Sequence, residues 1–399
     1  RLVECVDTNE GVLGELRLRF IVVKSGGNLV AVCPFIITRS SSIVTAYSLE
    51  KMFFTSWRSR LARINPSSAD WAPWAARFAE GYRRIARFLR TGSEGWVLAV
   101  SPLSVRGEVA CVEMSSDKEQ RVQEVALEVL KDVARVERLP LCFHGVQEDH
   151  SIRKILKIRG FDEVFYSYDN VIDLASFKNF EDYLDQFPGK VRRNHRAEMR
   201  RAQKACRFEI RRDFGAMAGD FESLYNATSS KYGTEYFHHP ADFWRALDRH
   251  GGTLPEAMVA KQGDDVVGFC MLLRKRDQML ALRAGRRAAG TGGGPLPIYF
   301  SLVMYEPIKR AFDVGVTRLW LGQSVWEAKR RRGAKGYALY NYFWFPSLRA
   351  RAVLGSFISA YGHISKQQIA RLLAKDTAVE SGDGNPEDSF SDKKGGGRP

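Results

Sequence analysis

The order of apolar segments along this 399-residue chain runs through the same series twice, and that repetition limits the fold more than any single motif. In the first half, apolar runs at 16–23 and 29–37 flank Ser25-Gly26-Gly27-Asn28, a hairpin signal because glycine supplies the positive φ of tight turns. Helical spacing of Phe78, Tyr82, Ile85 and Leu89 predicts a helix over 74–89, and strand-like runs follow at 96–100 and 109–114. An amphipathic helix is expected over 121–136, with Val122, Val125, Leu127, Val129, Leu130 and Val133 inside. A strand at 141–143, a short helix at 151–158 and a strand at 164–174 complete the half.

The second half repeats that order without sequence identity to the first. Helices are expected over 217–231 and 241–249, then a hairpin of 257–260 and 266–273 around Gly263-Asp264-Asp265. A strand at 279–284, a helix at 298–312 and a strand at 317–321 precede a cationic helical segment and the aromatic run 337–345. The expected class is α/β (α+β), as two tandem domains, each a mixed central sheet flanked by helices. Their limits are 1–175 and 176–375. Residues 376–399, rich in Gly, Ser, Asp and Lys and almost without apolar content, are expected to be a disordered tail.

Charge bears on partners. The formal charge is +15, and the tail holds six acids and three bases, so the rest of the chain (15 plus 3) stands near +18. Such a field favours anionic partners: nucleotide phosphates, tRNA, anionic lipid or glycan. The six cysteines are scattered through apolar runs without a CxxC pair, which fits reduced core thiols in a cytoplasmic protein rather than zinc ligands. His238-His239 has no third ligand at metal spacing, so no metal site is expected. No apolar run reaches the roughly 20 residues of a membrane span. The sequence opens at Arg1 without methionine and says nothing about what precedes it.

Chemistry concentrates in residues 319–333. An apolar strand ends at Gly322, the small polar pair Gln323-Ser324 follows, and a helical segment then carries Glu327 and four consecutive cations, Lys329 to Arg332. A strand that empties into a polar turn before a cationic helix is suited to holding phosphates. A second glycine-rich stretch, Arg287-Ala288-Ala289-Gly290-Thr291-Gly292, lies between a strand and a helix, where its backbone N–H groups can converge on a pyrophosphate. No Gly-Lys-Ser/Thr follows, so it is not a Walker loop. The matching place in the first half, 115–120, has no glycine and two carboxylates that would repel a pyrophosphate. One donor site is therefore expected, in the second half.

The duplicated unit resembles the tandem GNAT arrangement of FemAB-like and CelD (BioF2-like) acyltransferase-type proteins of bacteria. Three stretches carry the resemblance: the basic segment 190–201, the hairpin 258–273 with 278–285, and residues 315–333 with Gly322, Glu327, Lys329 and Gly333. It implies a GNAT-type N-acyltransferase that moves an acyl group from acyl-CoA to an amine on a small molecule, peptide or glycan precursor by direct attack. In that reading Arg287, Gly290, Thr291, Gly292, Gln323, Ser324, Arg330 and Gly333 bind the donor. Lys329 supports the oxyanion and Glu327 takes the amine's proton, directly or through water. Tyr340, or Tyr337, reprotonates the leaving thiol. The bland readings stand beside these: a flexible Gly-rich connector, a solvated basic helix end and ordinary aromatic packing in 337–345. Between Pro188 and Arg212 ten cations meet two acids, with few aromatics interleaved for base stacking. That stretch motivates an alternative, a Fem-type enzyme that takes its donor from aminoacyl-tRNA to extend a cell-wall precursor or small peptide. A third reading is a non-catalytic accessory protein of an envelope polysaccharide cluster.

Overall fold

The computed structural model describes residues 2–7, 17–38, 84, 96–101, 106–231, 239–287, 297–323 and 325–349, with scattered positions from 351 to 367. The first half contributes β1 (Leu2–Asp7), β2 (Arg17–Ser25), β3 (Asn28–Thr38), β4 (Trp96–Ala99), β5 (Ala110–Cys111), α1 (Ser116–Glu137), β6 (Leu141–Gln147), α2 (Ile152–Ile158) and β7 (Asp162–Asp173). The second half begins with α3 (Phe180–Asp185), α4 (Gly189–Ala205), β8 (Arg207–Arg211), α5 (Ala218–Lys231) and α6 (Ala241–His250). The hairpin β9 (Pro255–Gln262) and β10 (Asp265–Lys275) continues into β11 (Gln278–Arg286). A π-helical turn, Ser301–Tyr305, leads into α7 (Glu306–Asp313), followed by β12 (Arg318–Gly322), α8 (Trp326–Arg330) and β13 (Lys335–Trp344). The helix expected over 74–89 and the tail 376–399 lie outside the described residues, apart from helical Arg84.

The duplicated order is present, as a mixed sheet flanked by helices. The strands form one sheet in the order β1-β2-β3-β4-β6-β13-β7-β12-β11-β10-β9-β8, with β5 beside β3. The two halves exchange strands at the centre. β13, last in the chain, lies between β6 and β7 and pairs antiparallel with both. β7, last of the first half, pairs with β12 of the second. The expected boundary at 175 therefore falls just after a strand that both halves use. A cut there would strip β12 of a partner, and the loss of β13 would bare the edge of β6.

Helices cover the sheet through three apolar clusters. α1 and α2 pack on the first half through Leu127, Leu130, Ile152 and Leu156 against Val97, Leu141 and Phe143. The stripe that α1 buries is Gln123, Ala126, Leu127, Leu130, Lys131 and Ala134, at helical spacing. The valines expected inside flank this stripe, half-buried, and the ammonium of Lys131 escapes its burial by bonding the Arg159 carbonyl at 3.1 Å. In the second half, α3, α4 and α7 cover one face of the sheet, and α5 and α6 cover the other. The second face centres on Phe221, stacked on Phe269 at 4.1 Å, with Trp244 set edge-on to both.

Candidate active site

Each half contains two parallel strands that pair briefly and then part. In the second half β11 and β12 pair only over Gln278–Leu280 and Arg318–Trp320. Beyond that point β11 no longer pairs with β12 and follows β10 as far as Arg286, with a bulge at Leu282 where the register shifts between Met271 and Leu272. β12 instead turns toward β7, where Gly322 lies opposite Asn170 and its carbonyl accepts the Asn170 Nδ2–H at 2.6 Å. A fork results. In the first half β4 and β6 pair over Val97–Ala99 and Leu141–Phe143, but the chain itself fills the space beyond. Ser101 N–H donates to the Arg106 carbonyl at 2.7 Å, and Gly107 N–H donates to the His144 carbonyl. A Cβ on Gly107 would stand 2.7 Å from both the Ala99 oxygen and the His144 nitrogen, so only glycine fits there. The first fork is laced shut, and among the described residues no such lacing crosses the second.

Lys329 belongs to the second fork. α8 follows a turn at Gly322 (φ 75°) and Val325 (φ 53°) and points Lys329 inward while Glu327 and Arg330 stay exposed. The Lys329 side chain is only 2 % exposed and its Nζ donates to the Leu321 carbonyl at 2.6 Å, inside the end of β12. Burial pulls its pKa down to about 8, opposed by the nearby Asp169 carboxylate and Cys270 thiol. Asp169 is itself buried on β7, where one carboxylate oxygen is paired with Arg106. The Arg106 guanidinium lies 4.6 Å from the centre of the Trp320 ring.

The other expected residues take varied places. Glu327 is on the surface, its Oε1 accepting from Arg331 at 2.6 Å. Arg287 follows β11, with its N–H on the Val267 carbonyl at 2.8 Å and its guanidinium 3.2 Å from Asp265. Gly290, Thr291, Gly292 and Ser324 lie outside the described residues, and Gln323 is half-buried after β12. Tyr337 packs edge-on to Trp320 at 5.5 Å. Tyr340 sits against Phe165, capped by the Arg153 guanidinium at 4.5 Å, and burial raises its phenol pKa. Both are strand residues of β13, on the seam between the halves. Gly333 (φ 88°) lies against Tyr183, whose hydroxyl donates to the Arg332 carbonyl.

A polar network that sequence reasoning missed ties these elements together. Arg332 stacks on Phe300 at 3.4 Å and makes a two-nitrogen contact with Glu198 of α4 at 3.0 to 3.3 Å. Tyr305, closing the π-helical turn, donates to Glu198 at 2.7 Å and lies 3.0 Å from His195 Nδ1. π-helical turns are rare and gather at functional sites. The signal lay in Glu198, one of two acids among the ten cations of 188–212. Of the seven cations of α4, Lys190, Arg193, Arg200, Arg201 and Lys204 are exposed, while Arg192 and Arg196 are half-buried and pair with Asp185 and Glu181.

Val325 carries measurable strain. A β-branched residue at φ 53° clashes with its own carbonyl, and its side chain is 45 % exposed, so little burial compensates. Val325→Gly is expected to raise stability by about 1 kcal/mol, read as a higher melting temperature. A lower one would show that the side chain packs more than it strains.

Comparison with known sequences decides the family. The sequence profile of FemAB-like proteins, described as peptidoglycan biosynthesis/recognition, matches residues 97–378, well over half of the chain. The chain belongs to the FemAB-like family. No curated protein matches this FemAB-like chain in sequence. Similar solved structures include FemX, at 11 % identity and a TM-score of 0.49, covering 85 % of this chain and 90 % of that one. The C-terminal domain of a lysylphosphatidylglycerol synthetase described from Agrobacterium fabrum is 10 % identical with a TM-score of 0.46, covering 64 % and 78 %. A tandem GNAT protein from the clavulanic acid biosynthesis pathway is 9 % identical with a TM-score of 0.35, covering 83 % and 84 %. Among the described residues of this FemAB-like protein no helix is long and apolar enough to cross a membrane, and no group of acids, histidines and cysteines could hold a metal ion.

Proposed function

We propose that this FemAB-like transferase forms an amide bond by direct attack of an amine on an acyl-CoA bound in the open fork between β11 and β12. One observation carries the reading: Lys329 is buried at the point where those strands part, with one donor on Leu321 and two more N–H groups to give. The bound thioester supplies an activated carbonyl. An ammonium in the fork's mouth meets that carbonyl oxygen as it gains charge, in a water-poor place where such a contact is strongest. The amine nitrogen bonds to the carbonyl carbon, the carbon–sulfur bond breaks, and the sulfur leaves with a proton. Arg287, just after β11, would bind the donor's phosphates together with Gly290, Thr291 and Gly292, which follow it in sequence. Gln323, Ser324, Arg330 and Gly333 belong to the turn and helix end beside Lys329. Glu327, paired with Arg331 at the rim, reaches the reaction only through water. Tyr340, or Tyr337, would return a proton to the thiolate. We place the reaction in the cytoplasm, where acyl-CoA is made.

The test is thiol release from a panel of acyl-CoAs with mixed amine acceptors, expected above background for the wild type. A second reading keeps the fork and changes the donor to aminoacyl-tRNA, favoured by the exposed cations of α4. It predicts activity that ribonuclease abolishes and that falls steeply with salt, and no thiol release.

A further inference from the structure

The acceptor's place is marked by an unused oxygen. Asp169 pairs one carboxylate oxygen with Arg106, while its Oδ1 is buried and has no hydrogen-bond partner among the described residues. A buried carboxylate oxygen left bare is costly, and native structures rarely keep one without a use. Its cross-strand neighbour is Tyr337, and the Tyr337 ring lies 5.7 Å from the guanidinium of Arg318. Arg318 is half-buried and 6.0 Å from the Trp320 ring, and among the described residues no carboxylate pairs with it. The charged groups facing Asp169 are thus Arg106 from the loop before β5 and Lys329 from α8, with Arg318 of β12 beyond Tyr337. Arg106 already balances the charge of Asp169, which leaves, among the described residues, Oδ1 as an acceptor and the guanidinium of Arg318 without a carboxylate.

We propose that Asp169 and Arg318 form a two-point clamp for the acceptor, a primary amine that also carries an oxyanion, carboxylate or phosphate. The amine donates N–H to Asp169 Oδ1, beside the fork that holds Lys329. The oxyanion takes the guanidinium of Arg318, whose planar fork suits either group. The pairing gives the bound amine a hydrogen-bond acceptor inside the seam, Asp169, in place of the surface carboxylate Glu327. This deepens the amide-forming reading and rests on it for the chemistry, but the clamp can be measured without any donor.

The experiment is calorimetric titration of the full chain, free of acyl-CoA, with three probes: lysine, phosphoethanolamine and cadaverine, an amine without an oxyanion. Lysine or phosphoethanolamine is expected to bind at least about tenfold more tightly than cadaverine. Arg318→Gln is expected to erase that preference, and Asp169→Asn to weaken all three probes. Arg318 lies toward the surface, so its variant keeps the test valid even where Asp169→Asn fails to fold. Equal binding of the three by the wild type, no binding of any, or an intact preference in Arg318→Gln overturns the clamp. Intact clamp behaviour without thiol release overturns the acyl-CoA reading alone.

Discussion

Lys329→Met is expected to cut kcat/KM by about 10²–10³-fold while leaving the protein at least as stable as before at pH 7. The activity loss follows from removing the cation that faces the developing oxyanion. The stability side follows from linkage. In the folded chain burial lowers the ammonium's pKa from the usual 10.5 to about 8. Between those values the unfolded lysine binds a proton that the folded one does not, so wild-type stability rises with pH across roughly 8 to 10.5. Below pH 8 both forms are charged and the folded state carries the full cost of a buried ammonium, on the order of 2–4 kcal/mol. Methionine removes that cost and fills the space, though it leaves the Leu321 carbonyl without its donor, which returns about 1–3 kcal/mol. Chemical denaturation at pH 7 and pH 10 reads both terms. The wild type is expected to gain stability over that interval relative to the variant, and a parallel response of the two would contradict the burial of a charged Lys329.

Gly333→Ala is expected to destabilise the chain by about 2–4 kcal/mol, the larger part from a collision. At φ 88° any side chain is strained, and the new Cβ would stand 2.7 Å from the Tyr183 hydroxyl and 3.2 Å from the Phe187 ring. Tyr183 cannot retreat. Its ring is fully buried among Phe177, Phe180 and Phe187, and its hydroxyl holds the Arg332 carbonyl. The position therefore needs glycine for structural reasons, whatever it contributes to a donor. A urea midpoint unchanged from the wild type would show that the α8–β13 turn adapts more freely than this packing allows.

The duplicated order of strands and helices was legible because each element carries its own periodicity. The exchange of β7 and β13 was not, since an apolar strand does not name its neighbour: 164–174 and 337–345 read alike beside any partner. In α1 the valines suggested a stripe turned from the true one, and Val122, Val125, Val129 and Val133 are only half-buried. Alanines and the stem of Lys131 fill the buried face instead, because close approach to the sheet favours small or snorkelling side chains. Within the run 329–332 the four cations look equivalent in sequence. Helix geometry separates them: Lys329 turns into the fork, Arg332 lies flat on Phe300, and Arg330 and Arg331 face water. Asp169 was legible in principle. A carboxylate in the middle of a 12-residue strand buried along most of its length asks for a partner, and among the described residues only half of it has one.

Titration calorimetry of acetyl-CoA into the full chain tests the central claim, a single open fork, most directly. The lacing of Gly107 to His144 closes the first fork and leaves the one beside Lys329, so one equivalent per chain is predicted, with an unchanged number of sites in Lys329→Met. Two equivalents, or none at millimolar acetyl-CoA, would contradict the account.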